Sequence, residues 1–403
     1  KKIAYYEGCG MKFRSDCIIM YLLQEECDLM DTLYLAAVCA VVPGLGRSRI
    51  PDLINALGSA RAVFEASAAT LTATGLCTPR AVQNFISNRD ARLPQRLDYF
   101  CRHNGVQILA YTGTDYPQSL QNLSDKPLVL YVKGELPQAN YALAIVGSRR
   151  CTEYGVRAAA CFAQAMTREG IPIISGGAKG IDTAAHEACL QAGGTTVAVL
   201  GCGLDIVYPS ENAKLFARIA EQGTLVTEYP PGVPPAAANF PARNRIIVGL
   251  SQAVLVAEAG KRSGAVITAN IAADEGREVY CVPGNIFDGS SIGCHELIRT
   301  GAKLVDMPQD ILDDKRSWQQ AMNRRITQPS IFDCAPQEPK PAPAPVTTEL
   351  GAKLLALLQA GALSLEKLTE QSGAAFAAVS MELLDLQAAG LVATDQAQRY
   401  YRK

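Results

Sequence analysis

Four short stretches of this chain carry residue types that can hold an anion. The first is Gly147-Ser148-Arg149-Arg150, where a glycine, a hydroxyl and a guanidinium meet ahead of a helical run near Tyr154. The N–H groups at a helix start favour negative charge. The second is Ser175-Gly-Gly-Ala-Lys-Gly-Ile-Asp-Thr-Ala-Ala-His186, in which Gly176, Gly177 and Gly180 permit close backbone approach and Lys179 projects beside them. The third, Asn239 to Ser251, sets Arg243 and Arg245 around Asn244 with Phe240 ahead of them, a combination suited to phosphates and a stacked base. The fourth is Lys261-Arg262-Ser263-Gly264, two cations beside a Ser-Gly helix start. The bland alternative for each is a tight strand-to-helix turn with a solvated basic edge.

Catalytic chemistry is less well supplied. His186 follows Asp182 by four residues, so both share a helix face. With no nucleophile or metal partner adjoining them, the pair reads as a device fixing loop geometry and the helix start. Glu228 and Glu258 stand at strand ends as conceivable acids, yet Glu258 beside Lys261 and Arg262 is as easily a local salt bridge. Neither glycine loop matches a P-loop or the G-x-G-x-x-G fingerprint. No catalytic residue, metal ligand or cofactor is therefore assigned.

The elements that must present these loops read as an α/β domain. Apolar runs at Leu143–Gly147, Pro172–Gly176, Thr196–Gly201, Thr224–Glu228, Ala253–Glu258 and Val279–Pro283 alternate with helical stretches, the pattern of a parallel sheet covered on both faces. Val106–Tyr111 and Leu128–Val132 extend the sheet or cover its edge. In doubly wound sheets the ligand crevice lies at the carboxyl ends of the strands, so Arg149 and Lys179 can share one phosphate.

Around this core the chain divides into an extension over 1–30, a helical domain over 31–100, the α/β domain over 101–313, a Pro-rich linker over 314–346 and a C-terminal module over 347–403. The helical domain contains Gly44-Leu-Gly46 followed by Arg47 and Arg49, a turn of the type helix-hairpin-helix modules offer to phosphate; a tight connection with a basic edge is the alternative. The C-terminal helical runs, with Gly390-Leu-Val-Ala and Tyr400-Tyr401 behind them, suggest a winged helix. Its expected recognition segment, Ala374 to Ser380, carries no Lys or Arg, which points to packing or protein contact.

Composition sets the outer limits. The 403 residues carry a net charge of −1, and between Leu143 and Ile311 there are 14 Lys and Arg against 16 Asp and Glu, so a phosphate surface must come from local clustering. The 13 cysteines form no C-x-x-C pair, which suits reduced thiols and a cytoplasmic setting. The apolar run Cys17 to Leu23 is too short to span a membrane, so no membrane association is expected.

Taken in order, Gly147-Ser-Arg149, the Ser175–His186 loop, Leu200-Gly-Cys-Gly-Leu-Asp with Tyr208-Pro209, Phe240-Pro-Ala-Arg-Asn-Arg-Ile-Ile, Ser263-Gly264 with Thr268-Ala269, and Val282-Pro-Gly284 with Leu297-Ile298 and Gly301-Ala302 resemble the DNA-processing protein A (DprA, also called Smf) family of bacteria. The resemblance covers the whole α/β domain. It implies a Rossmann-like fold flanked by an N-terminal helical (SAM- or helix-hairpin-helix-like) domain and a C-terminal winged helix. It also implies a non-enzymatic protein that binds single-stranded DNA, dimerises through the Rossmann-like domain, protects incoming strands and helps load the RecA recombinase in natural transformation. The family's phosphate pocket falls on Ser148, Arg149, the Gly176–Gly180 loop with Lys179, and Arg243 to Arg245. Two departures, Thr227-Glu228 for Ser-Glu and Cys294-His295 where Asn is frequent, leave that pocket untouched. The rival reading is a nucleotide-phosphate-binding hydrolase of the phosphoribohydrolase type, whose Pro-Gly-Gly-x-Gly-Thr signature is absent; a third makes the sheet a dimerising scaffold with binding left to the terminal modules.

Overall fold

The computed structural model of the chain describes residues 29–41, 44–327, 348–395 and 398–402, with only the backbone of 318–327. The expected extension therefore falls almost wholly outside the described residues, as does the Pro-rich part of the linker. Two compact units emerge, one up to Ala321 and one from Met322.

The first unit is built on a nine-stranded sheet: β1 (Val106–Ala110), β2 (Val129–Gly134), β3 (Leu143–Gly147), β4 (Ile173–Ser175), β5 (Thr196–Val199), β6 (Thr224–Thr227), β7 (Ala253–Glu258), β8 (Glu278–Cys281) and β9 (Lys303–Leu304). Their order in space is β1-β2-β6-β5-β4-β3-β7-β8-β9. From β3 to β9 all neighbours are parallel, whereas β1 and β2 join antiparallel at one edge. The sheet is thus mixed, and the two early runs extend it. The chain winds outward from β3 through β4 and β5 to β6, then returns to lay β7 on the other side of β3. That reversal opens a crevice at the carboxyl ends of β3, β4 and β7.

Alternation along β3 shows why both faces are covered: Leu143 and Ile145 enter one core with Phe162 and Met166, while Ala144 and Val146 enter the other with Ile246 and Val254. Each fully buried Leu or Ile of this kind contributes about 1.5–3 kcal/mol. The covering helices start where side chains can take up orphan N–H groups. Thr152 accepts from Gly155 N at the head of helix Glu153–Arg168, and Ser263 from Ala265 N at the head of helix Gly264–Asp274.

Two boundaries move. The helices before the sheet share one core with Val106, Ala110, Leu128, Val129 and Tyr131, and helix Leu93–Asn104 runs through position 100. The helical region is therefore continuous with the sheet and not a separate domain. The linker expected from Asp314 begins later, because helix Pro308–Thr327 continues through it. Its first turns are anchored by buried Ile311 and Leu312 and by a 2.7 Å ion pair between Asp314 and Lys303. Among the described residues no helix is long and apolar enough to cross a membrane.

The second unit holds helices Glu349–Leu357, Leu365–Ser372 and Phe376–Ala388 and the hairpin β10 (Val392–Thr394) and β11 (Tyr400–Arg402). Leu354, Leu368, Val379, Leu383 and Val392 pack at its centre, and a bridge from Leu363 to Tyr400 ties the wing to the helices. This is the expected winged helix.

Candidate nucleic-acid interface

The first two loops touch. Ser148 follows β3 and donates its N–H to Glu258 O at the end of β7 (2.8 Å), while Ile181 N reaches Ser148 O at 3.3 Å. Gly180 makes that approach possible: its φ is +84°, and a Cβ there would lie 2.4 Å from Ser148 O. Asp182 then shapes the glycine loop, its Oδ2 accepting from Gly176 N and Ala178 N, each at 3.2 Å. Two of the loop's amides are thus turned inward onto a side chain, which narrows the expectation that the whole glycine backbone faces a phosphate.

A cavity of about 740 Å³ opens over this junction, lined by Gly147, Ser148, Arg149, Phe240, Arg243 and Asn244 together with Ser263 and Gly264. A smaller adjoining space of about 190 Å³ brings Gly176, Gly177 and Lys179 to Arg149, Phe240 and Arg243. Residues nearly a hundred positions apart in sequence therefore share one rim. Arg149 lies with its guanidinium 4.9 Å from the centroid of Phe240, and Tyr208 lies 5.5 Å from the same ring on a tilted plane. The result is a patch of aromatic surface edged by charge.

The cations at this site play different parts. Arg149, Arg150 and Arg262 are exposed and make no ion pair among the described residues. Lys179, half exposed, is paired with Glu211, and Lys261 with Glu296 at 3.3 Å. Arg243 is buried, donating to Gly176 O at 2.6 Å and to Val199 O. Burial pulls its guanidinium down to about 10, with the Asp182 carboxylate opposing the shift, so it remains charged at neutral pH.

Two sequence-assigned residues line neither space: Gly180, which packs against the Ser148 backbone, and Arg245. Arg245 points away from both spaces, donating to Glu228 Oε2 at 2.7 Å and Asp125 Oδ2 at 2.9 Å. Burial opposes its charge, but those two carboxylates outweigh it and hold its pKa above the ordinary arginine value. The physical reason is periodicity, since residues two apart on a helix do not face the same way.

The acids and histidines also find structural partners. His186 is fully buried, with Nδ1 2.7 Å from Thr196 Oγ1, and burial pushes it down to about 3. Glu258 is not the partner of Lys261 or Arg262; it is buried and accepts from Thr152 N at 3.0 Å and from the Thr152 hydroxyl. His295 meets the backbone of Gly284 through Nε2 at 3.1 Å. Arg150, Lys261 and Arg262 of the first and fourth stretches also line the larger space, and so does Tyr208, which sequence reasoning does not assign to the pocket. Tyr208-Pro209, an aromatic closing a glycine-rich loop, was the available signal.

Comparison with known proteins agrees with this architecture. The family model for DNA recombination-mediator protein A matches residues 107–316, and the DprA winged helix domain matches residues 338–397. The DNA processing protein DprA of Streptococcus pneumoniae is 48% identical over 198 residues, 49% of this chain and 70% of that protein. Protein Smf of Synechocystis sp. is 34% identical over 346 residues, 80% of this chain and 87% of that protein. Among solved structures, that of DNA processing protein A from Streptococcus pneumoniae aligns with a TM-score of 0.61 at 36% identity, covering 70% of this chain and 97% of that one. The chain belongs to the DNA recombination-mediator protein A family, the DprA/Smf proteins.

Proposed function

We propose that this protein binds single-stranded DNA along the carboxyl-end crevice of its sheet. In this reading it acts in the cytoplasm as a recombination accessory, protects incoming strands, helps load the RecA recombinase and works as a homodimer through the sheet domain. The observation that carries the strand-binding reading is the convergence of unpaired Arg149 with Lys179 on one rim, beside Phe240 and Tyr208 and in front of buried Arg243. Exposed guanidiniums meet phosphates, and an aromatic face accepts any unpaired base. A duplex buries its bases and can use only the first half of that arrangement. The names of the relatives, DNA processing proteins, support the same assignment.

A binding role is favoured over hydrolysis because Asp182 and His186 are committed to backbone amides and to Thr196. Release of free base from nucleoside monophosphates by the purified protein would instead support a phosphoribohydrolase. The test of strand binding is a gel-shift comparison of oligo-dT with a duplex of equal length at two salt concentrations. The single strand is expected to bind more tightly and to weaken as salt rises. Equal affinity for both, or no salt dependence, would contradict the proposal.

A further inference from the structure

The Gly44–Arg49 turn, which reads in sequence as a phosphate-presenting motif, has a different occupant in the structure. Arg47 lies with Nη1 3.3 Å from Asp125 Oδ2 and Nη2 3.1 Å from Glu228 Oε2. The same two carboxylate oxygens receive Arg245, at 2.9 Å and 2.7 Å. Two guanidiniums and two carboxylates therefore close a ring drawn from four parts of one unit: the helical region, the loop before β2, the end of β6 and helix Asn239–Gly249.

We infer that Arg47 is a positioning residue for strand binding: by completing this ring it fixes helix Asn239–Gly249, and the helical region thereby sets the pocket's affinity without touching the strand. The inference rests on the single-strand reading given above. That helix supplies Phe240, Arg243 and Asn244 to the cavity. Arg243 bolts it toward β4 and β5 through Gly176 O and Val199 O, and Arg245 bolts it toward β6 through Glu228. Its rotation is thus set from two directions.

The ring depends on Arg47 for charge and for contacts. The side chains of Glu228 and Arg245 are only 6% and 10% exposed, so water screens them poorly. Glu228 Oε1 and Arg245 Nη1 are buried without a hydrogen-bond partner among the described residues, leaving few bonds to hold either group. With Arg47 present, two positive groups face two negative ones. Without it, Arg245 alone faces both carboxylates, and the balance that orients it changes. Arg49, exposed on the same turn, has no part in the ring and serves as a control.

The experiment is a titration of the full chain with oligo-dT across a range of salt. Arg47→Ala is expected to weaken binding by about five- to tenfold at every salt, the size of coupling within one ion network. The slope of log affinity against log salt should stay at the wild-type value, because no phosphate contact is lost. Arg47→Lys should recover most of the affinity, and Arg47→Ala with Glu228→Gln should be no weaker than Arg47→Ala alone. Asp125→Asn, at an exposed position that carries little folding risk, should move affinity in the same direction by a few-fold. Unchanged affinity in Arg47→Ala and Asp125→Asn would overturn the inference, as would additive losses in the double variant. A slope lowered by about 0.7 in Arg47→Ala would also overturn it, since that marks direct contact with a phosphate. Failure of the wild-type chain to bind oligo-dT would instead reject the single-strand reading itself.

Discussion

The rim of the crevice and the wall behind it use the same residue type for opposite ends. On the rim, Arg149, Arg150 and Arg262 stand exposed and unpaired among the described residues. In the wall, Arg243 and Arg245 are less than a tenth exposed and bonded to carbonyls or carboxylates. A guanidinium in water is available to a phosphate; one already desolvated and bonded within the protein is part of the scaffold. Counting cations in a motif therefore overstates the contacts a ligand can make.

The largest expected effect tests the wall. Arg243→Ala leaves Gly176 O and Val199 O without their donor and the buried Asp182 carboxylate without its counter-charge. A loss of about 3–5 kcal/mol in stability is expected by denaturant unfolding. A loss below ~1 kcal/mol, with strand affinity strongly reduced, would move Arg243 from scaffold to ligand contact.

The rim is tested next. Lys179→Ala should weaken oligo-dT binding less than Arg149→Ala does, because Lys179 is already paired with Glu211. Equal losses in a filter-binding titration would show that this ion pair gives way freely to the strand.

A smaller effect probes the wall through pH. Burial holds His186 near 3, below its ordinary value, so protonation favours the unfolded chain. Its contribution to stability is complete above about pH 6.5 and is lost progressively as pH falls toward 3, by up to ~1.4 kcal/mol per pH unit. In His186→Gln that part of the pH dependence should vanish from thermal unfolding measured between pH 7 and 5. An unaltered pH profile would mean that His186 titrates normally.

The smallest effect returns to the rim. Glu211→Gln frees the half-exposed Lys179, and affinity for oligo-dT should rise by about two- to threefold, as expected from losing an exposed ion pair. A fall in affinity would show that Glu211 positions Lys179 usefully.

The winged helix gives a second contrast. Its helix Phe376–Ala388 exposes Phe376, Met381 and Leu384 and carries Glu382 and Asp385 but no Lys or Arg. A phosphate finds no cationic partner on that helix.

How far the sequence was legible follows from the same physics. Strands β3 and β7 have the bounds that their apolar runs suggest, because both faces of each are buried. Strand β9 gives no sequence signal, since Lys303 and Leu304 are exposed and make no apolar run. The helix through Asp314 reads as linker in the sequence because its polar composition conceals a helix whose first turns are anchored by Ile311 and Leu312. At the site, glycine loops and strand ends were enough to gather Arg149, Lys179, Arg243 and Phe240. The separate fate of Arg245 was readable from its two-residue offset, but its partners were not, because Arg47 and Asp125 are far away in sequence.

The most direct test of the account is the salt dependence of oligo-dT binding by the wild-type chain and by Arg149→Ala. Removing one exposed guanidinium should cut affinity by about tenfold at low salt and lower the slope by about 0.7. An Arg149→Ala protein with wild-type affinity and wild-type slope would show that the crevice does not hold the strand.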